Sequence, residues 1–171
     1  TGTIIRSKNG GINWDYEPIS GFSSNLNEIF FPGNGLGFIA GDSIPGFGGP
    51  PIVFTGDSGI TWAPYGSGFP NLATKSLTGI WTPKADPNKA VIIGDEGLII
   101  NTHDGGQSWN TPATGTTVRL TDIWFFDDKN GFATGPNGIL LRTTNCGDSW
   151  SVVNSPIGGD LMTVRFRDST T

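Results

Sequence analysis

A short pattern, Ser/Thr-x-Asp/Asn-x-Gly-x-x-Trp, occurs in this chain at 7–14, 55–62, 102–109 and 143–150. Its tryptophans, Trp14, Trp62, Trp109 and Trp150, are 48, 47 and 41 residues apart. A second pattern alternates with it: Leu26-x-x-Ile29, Leu77-x-x-Ile80, Leu120-x-x-Ile123 and Leu161-x-x-Val164, at spacings of 51, 43 and 41. Two independent motifs drifting at one period indicate one repeated structural unit.

Composition limits what that unit can be. The 171 residues include 27 Gly and 12 Pro, which a helical bundle does not tolerate. The glycines keep no three-residue period, which excludes collagen. With 11 Phe and 6 Trp the chain is too aromatic for disorder. A period of 40 to 50 residues with four short strands per unit is the pattern of a β-propeller blade. In the third repeat the spacing predicts strands near 119–126, 131–135, 138–143 and 149–153. The turns between them are 127–131, 135–138 with its Asn-Gly pair, and the repeated motif itself. The expected fold is an all-β propeller of four-stranded antiparallel blades.

Aligning the repeats divides the chain into a partial blade 1–24, blades 25–75, 76–118 and 119–159, and the first strand of a further blade at 160–171. Gly2-Thr3-Ile4-Ile5-Arg6 matches Gly138-Ile139-Leu140-Leu141-Arg142, so the first residues read as a third strand. About four blades are covered, and a larger propeller of around seven is expected, roughly 300 residues at the usual blade length.

The motif and the spacing resemble the BNR or Asp-box repeat family. The unit from Leu120-Thr121-Asp122-Ile123-Trp124-Phe125 through Gly147-Asp148-Ser149-Trp150 is similar to blades of photosystem II stability/assembly factor-like proteins. The resemblance covers nearly all of the chain. It implies a propeller that binds other proteins without catalysis. The motif is poor evidence of function, because it also occurs in sialidases, xyloglucanases and sorting receptors.

Asn9, Asp57, Asp104 and Asn145 read as structural. Each offers a side-chain oxygen to backbone amides two residues on, Gly supplies positive φ, and Trp14, Trp62, Trp109 or Trp150 covers the turn. Two motifs carry Asn, so a shared charge is not required, and neither a metal nor a cofactor is expected. His103 and Cys146 fall at variable positions, where His103 is expected to be exposed.

Candidate binding residues lie on the opposite face, where second-to-third-strand loops and exit loops meet. Blade 25–75 has insertions in both, at 42–51 and between Trp62 and Leu77. They bring Asp42, Phe47, Tyr65 and Phe69 to one face, with Tyr16 and Phe22 in the preceding exit loop. Exposed aromatics there suit a protein, peptide or glycan contact. The alternative is that these rings fold back to cap their own loops. The resemblance also implies an Arg-rich patch, for which Arg119, Arg165 and Arg167 are candidates.

The main expectation is a non-catalytic scaffold for protein–protein assembly. One alternative is a glycan-binding or glycoside hydrolase propeller, drawing on Asp42, Asp95, Glu96, Asp160, Glu28 or Asp122, with Tyr16 or Tyr65 as nucleophile in a sialidase. Nothing in the spacing pairs two carboxylates across a glycosidic bond. Another alternative is a structural subunit of a surface fibre or envelope complex. A net charge of −5 argues against nucleic acid as a partner, and no apolar run reaches a membrane span. Few Lys among many Thr, Asn, Gly and Ser suit an extracellular, cell-surface or periplasmic bacterial setting, and the negative net charge does not support a chloroplast or cyanobacterial role.

Overall fold

The computed structural model describes residues 3–19, 25–33, 35–42, 52–64, 72 and 75–166. These form thirteen strands: β1 (Thr3–Arg6), β2 (Asp15–Pro18), β3 (Leu26–Gly33), β4 (Leu36–Gly41), β5 (Ile52–Thr55), β6 (Ala63–Pro64), β7 (Leu77–Trp81), β8 (Ala90–Gly94), β9 (Ile99–Thr102), β10 (Asp122–Phe125), β11 (Gly131–Thr134), β12 (Leu140–Thr143) and β13 (Ser151–Val152). There is one 3₁₀ turn, Asp95–Gly97, and no α-helix among the described residues. The sheets run β1-β2, β3-β4-β5-β6, β7-β8-β9 and β10-β11-β12-β13, with every pairing antiparallel. The fold is an all-β propeller of meandering blades, as the repeat spacing predicts.

Blade 76–118 differs from its neighbours. Its outermost segment makes a single bridge, Asn101 to Asn110, where a fourth strand is expected. Pro112 follows and has no N–H for the ladder. The segment 161–166, expected as a first strand, is also not a strand. No second strand lies beside it among the described residues, and it is held instead by bonds to the preceding blade.

Blades pack face to face through apolar clusters. Between the blades of β7–β9 and β10–β13 lie Val91, Ile93, Ile99, Leu120, Ile123 and Leu141. Phe38, Ile52, Leu77, Ile80, Ile92 and Ile100 fill the preceding interface. Each such side chain contributes about 1.5–3 kcal/mol on burial. β8 is buried along its whole length, because it lies between neighbouring strands and has a blade on each side.

A polar seam runs beside this core. The side chains of Asn27, Thr78 and Thr121 donate to the carbonyls of Leu77, Leu120 and Leu161, at 2.8, 2.6 and 2.7 Å. Leu120 N–H in turn donates to Gly94 O at 3.0 Å, and Leu161 N–H to Gly135 O at 3.1 Å. The glycine at the end of each second strand is required by a close approach within its own blade, to the residue just before the inner strand. A Cβ on Gly41, Gly94 or Gly135 would stand 2.3, 2.4 or 2.5 Å from the carbonyl of Asn25, Ser76 or Arg119.

Gly94→Ala is therefore expected to lower unfolding free energy by about 1–3 kcal/mol in urea denaturation, the usual cost of overpacking. Gly158→Ala, where an added Cβ meets nothing within 4 Å, serves as control. Equal effects would contradict the close-approach account.

Candidate functional site

The strand directions separate two faces. First-hairpin loops and motif turns share one, joined by Ser58 N–H to Gly35 O (2.7 Å), Gly105 N–H to Asn88 O (2.8 Å) and Cys146 N–H to Lys129 O (3.0 Å). Second-hairpin loops and exit segments share the other. There the Thr114 hydroxyl donates to Gly97 O at 2.9 Å and Asn137 N–H to Asp160 Oδ1 at 3.1 Å.

On the turn face the four motifs build nearly the same cage. In the third, the buried Thr102 hydroxyl donates to Asp104 Oδ1 (2.8 Å) and accepts Gly106 N–H (2.9 Å). Asp104 then accepts Ser108 N–H at 2.9 Å and the Ser108 hydroxyl at 2.6 Å. The carboxylate thus reaches amides farther along than the two-residue Asx turn expected from sequence. It is the hydroxyl that serves the nearer ones. Asn9 and Asn145 make the same contact, to Asn13 N–H (2.9 Å) and Ser149 N–H (3.0 Å). Trp14, Trp109 and Trp150 close the turn by donating to Gly11, Gly106 and Gly147 carbonyls. Trp62 is the exception: its indole N–H is buried without a partner. Two successive residues adopt positive φ in each turn, and in two motifs the first is not glycine: Ser58 (62°) and Cys146 (61°).

These bonds have an electrostatic consequence. The Thr61 hydroxyl and amide hold Asp57 down at a pKa of about 2, and the Ser108 hydroxyl and amide do the same for Asp104. His103, expected to be merely exposed, bridges to Asp148 of the next blade at 2.6 Å. Burial pushes the Cys146 thiol up, away from a reactive thiolate. Among the described residues no group of three or more His, Cys, Asp or Glu forms a metal site.

On the loop face, Asp42 accepts Asn25 and Asn27 side-chain amides, both at 2.8 Å. The Asn27 bond, opposed by some burial, is the main reason its carboxyl lies below the usual range, with Asn25, Ser76 and the Arg119 charge adding to it. Arg119 pairs with Asp95 at 2.8 Å, and Lys75 pairs with Glu96. Asp95 also accepts Ser76 N–H at 3.1 Å. A run of oriented charges therefore crosses from one blade to the next. Tyr16, expected in an exit loop, sits within β2 opposite Ile5 and is 64 % exposed. Its segment pairs with β1 as the outermost strand. Phe22, Phe47, Tyr65 and Phe69 lie outside the described residues.

Arg119 and Arg165 do not gather into one patch. Arg119 faces Asp95 before its inner strand begins, whereas Arg165 engages Asp122 and lies 4.8 Å from the Trp124 ring centroid. Arg167 lies outside the described residues. Near Arg165, partial burial by the inner strands and then the Asp122 charge push the Glu28 carboxyl up, against the pull of Arg165. The cavity between Glu28 and Asp122 is about 60 Å³.

A family profile described as photosynthesis system II assembly factor YCF48 matches residues 73–163, over half of the chain. The chain belongs to this family. It is 41 % identical over 56 residues to the chloroplastic photosystem II stability/assembly factor HCF136 of Arabidopsis thaliana, covering 32 % of this chain and 14 % of that one. It is 30 % identical over 70 residues to the photosystem II assembly lipoprotein Ycf48 of Synechococcus sp. (strain CC9902), covering 39 % and 21 %. Among solved structures, YCF48 from Cyanidioschyzon merolae superposes with a TM-score of 0.70 at 17 % identity, over 98 % of this chain and 56 % of that one. YCF48 bound to D1 peptide gives 0.61 at 18 %, over 77 % and 42 %. An ancestral GH74 enzyme gives 0.62 at 14 %, over 83 % and 20 %. At such identities these structures establish the fold alone. The chain spans little more than half, or less, of each relative.

The expected extracellular, cell-surface or periplasmic bacterial setting is overturned. The relatives are a chloroplast protein and a cyanobacterial lipoprotein, both photosystem II assembly factors by name. The composition misled because its Thr, Asn, Gly and Ser serve the repeated turns, whatever the compartment.

Asp57 and Asp104 contribute stability above their ordinary value of 3.8 and lose it as pH falls toward about 2, since their folded pKa is depressed. Melting temperature should fall over that window. The double variant Asp57→Asn, Asp104→Asn, which keeps the bonds seen at Asn9 and Asn145, should fall less steeply; parallel curves would contradict the cage. Separately, Ser58→Gly should raise unfolding free energy by about 0.5–1 kcal/mol by relieving positive φ, read by chemical denaturation.

Proposed function

We propose that this chain is a non-catalytic assembly scaffold that holds a protein client against its loop face, with Asp42 and Arg119 as charged contacts. What supports this reading is the run of oriented charges there: Asp42 clamped by Asn25 and Asn27, and Arg119 aligned by Asp95. Side chains already oriented lose little entropy when a client arrives. Family membership points the same way, and a YCF48 structure holds a D1 peptide. A peptide client of that kind is the one proposed here. The insertions carrying Phe47, Tyr65 and Phe69 border this face in sequence and are proposed to add apolar contacts.

The glycosidase reading is weaker. Its best pair, Glu28 and Asp122, encloses about 60 Å³. Ligand pockets generally begin near 300 Å³. Asp122 is also committed to Thr163, Val164 and Arg165.

Titrating the chain with a fluorescently labelled D1 peptide tests the proposal. Arg119→Glu is expected to weaken binding by about tenfold or more through charge reversal. Binding unchanged by Arg119→Glu would remove the loop face from the reading, and turnover of xyloglucan or a sialoside would overturn the scaffold assignment.

A further inference from the structure

The inner strands carry one feature that the loop-face reading leaves unused. Five residues into each inner segment stands a ring or an arginine: Phe30, Trp81, Trp124 and Arg165. The three rings converge on the turn face, where they line a cleft of about 460 Å³ with Phe126. That volume suits a side chain with its flanking backbone. Trp81 is stacked on Phe125 at 3.9 Å and 14°, which fixes its plane while the residue stays partly exposed.

Two of the lining residues each hold a polar atom that is buried without a partner. The Thr82 hydroxyl is one, in a residue 1 % exposed, and the Trp124 indole N–H is the other. The lining also has a charge bias: Asp127 and Asp128 against Lys84. Asp127 is engaged in its own turn, accepting Lys129 N–H and Asn130 N–H at 2.7 and 2.6 Å. Asp128 is exposed.

The chain itself shows what these rings accept. The Arg165 guanidinium carbon lies 4.8 Å from the Trp124 centroid. A planar guanidinium stacks on indole and pairs with a carboxylate at once, which an ammonium does less well.

We propose that this cleft is a second protein-binding site, taking an arginine-bearing peptide segment. The arginine lies against Trp81 and Trp124 and pairs with Asp128, while a flanking apolar side chain covers Phe30 and Phe126. A neutral sugar would stack on the same indoles but would leave the carboxylates unused. The site is on the opposite face from Arg119 and stands independently of the loop-face proposal.

The test is fluorescence anisotropy of the full chain with a labelled, end-capped peptide Gly-Ala-Leu-Arg-Leu-Ala-Gly. Saturable binding is expected. Replacing the peptide arginine by neutral citrulline should weaken it by about fivefold or more. Asp128→Asn, on an exposed turn, and Trp124→Leu, with folding checked by circular dichroism, should each weaken it by about threefold or more. Arg119→Glu should leave it unchanged. No saturable binding, equal affinity for the citrulline peptide, or affinity unmoved by Asp128→Asn would overturn the proposal. So would cello-oligosaccharide binding that Trp124→Leu abolishes while the arginine peptide fails to compete.

Discussion

The hydroxyl at the head of each turn motif ties the blade together. Thr55, Thr102 and Thr143 are all but fully buried, and each donates to the Asp or Asn two residues on while accepting a glycine N–H four residues on. This closes the third hairpin without a long loop. Backbone bonds from the same turns reach the first hairpin at Gly35, Asn88 and Lys129, so the turn adds a tie between outer and inner hairpins beyond the ladder of the second and third strands. Outermost strands of two residues or a lone bridge persist because the turn, rather than the ladder, holds them.

With each blade closed in this way, the seam between blades sets which side chains of neighbouring blades meet. Asn27, Thr78 and Thr121 bond the next inner segment at one register. That register brings Arg119 to Asp95 and lets the Arg119 charge bear on Asp42. It also stacks Trp81 on Phe125 and sets Arg165 over Trp124. The two faces therefore acquire different chemistry from one repeat. The loop face carries paired charges, and the turn face carries aromatic rings with an acidic rim.

The turns and strands were legible in the sequence because their chemistry is local. Asp104, Gly106 and Trp109 read as a turn wherever the blade sits, and β10 to β13 fall within a few residues of the spacing-based placement. The site was less legible. Arg119 and Arg165 read as one patch in the sequence but stand at opposite ends of their inner segments, because membership of an inner strand does not tell which end a side chain serves. The rings of the cleft left a signal that was readable in principle, an aromatic at the same place in three consecutive units. It was overshadowed by the loop insertions, which differ between repeats and so draw the eye.

The sequence by itself determined the repeat unit, its strand order and its turns, since these depend on hydrogen bonds and φ values within a few residues. Tertiary structure decided which residues of different blades meet. Asp95 with Arg119, His103 with Asp148, and Asp122 with Arg165 are each separated by 24 to 45 residues. Such pairs form only when one apolar blade face packs on another in a fixed register, and no local pattern encodes that distance.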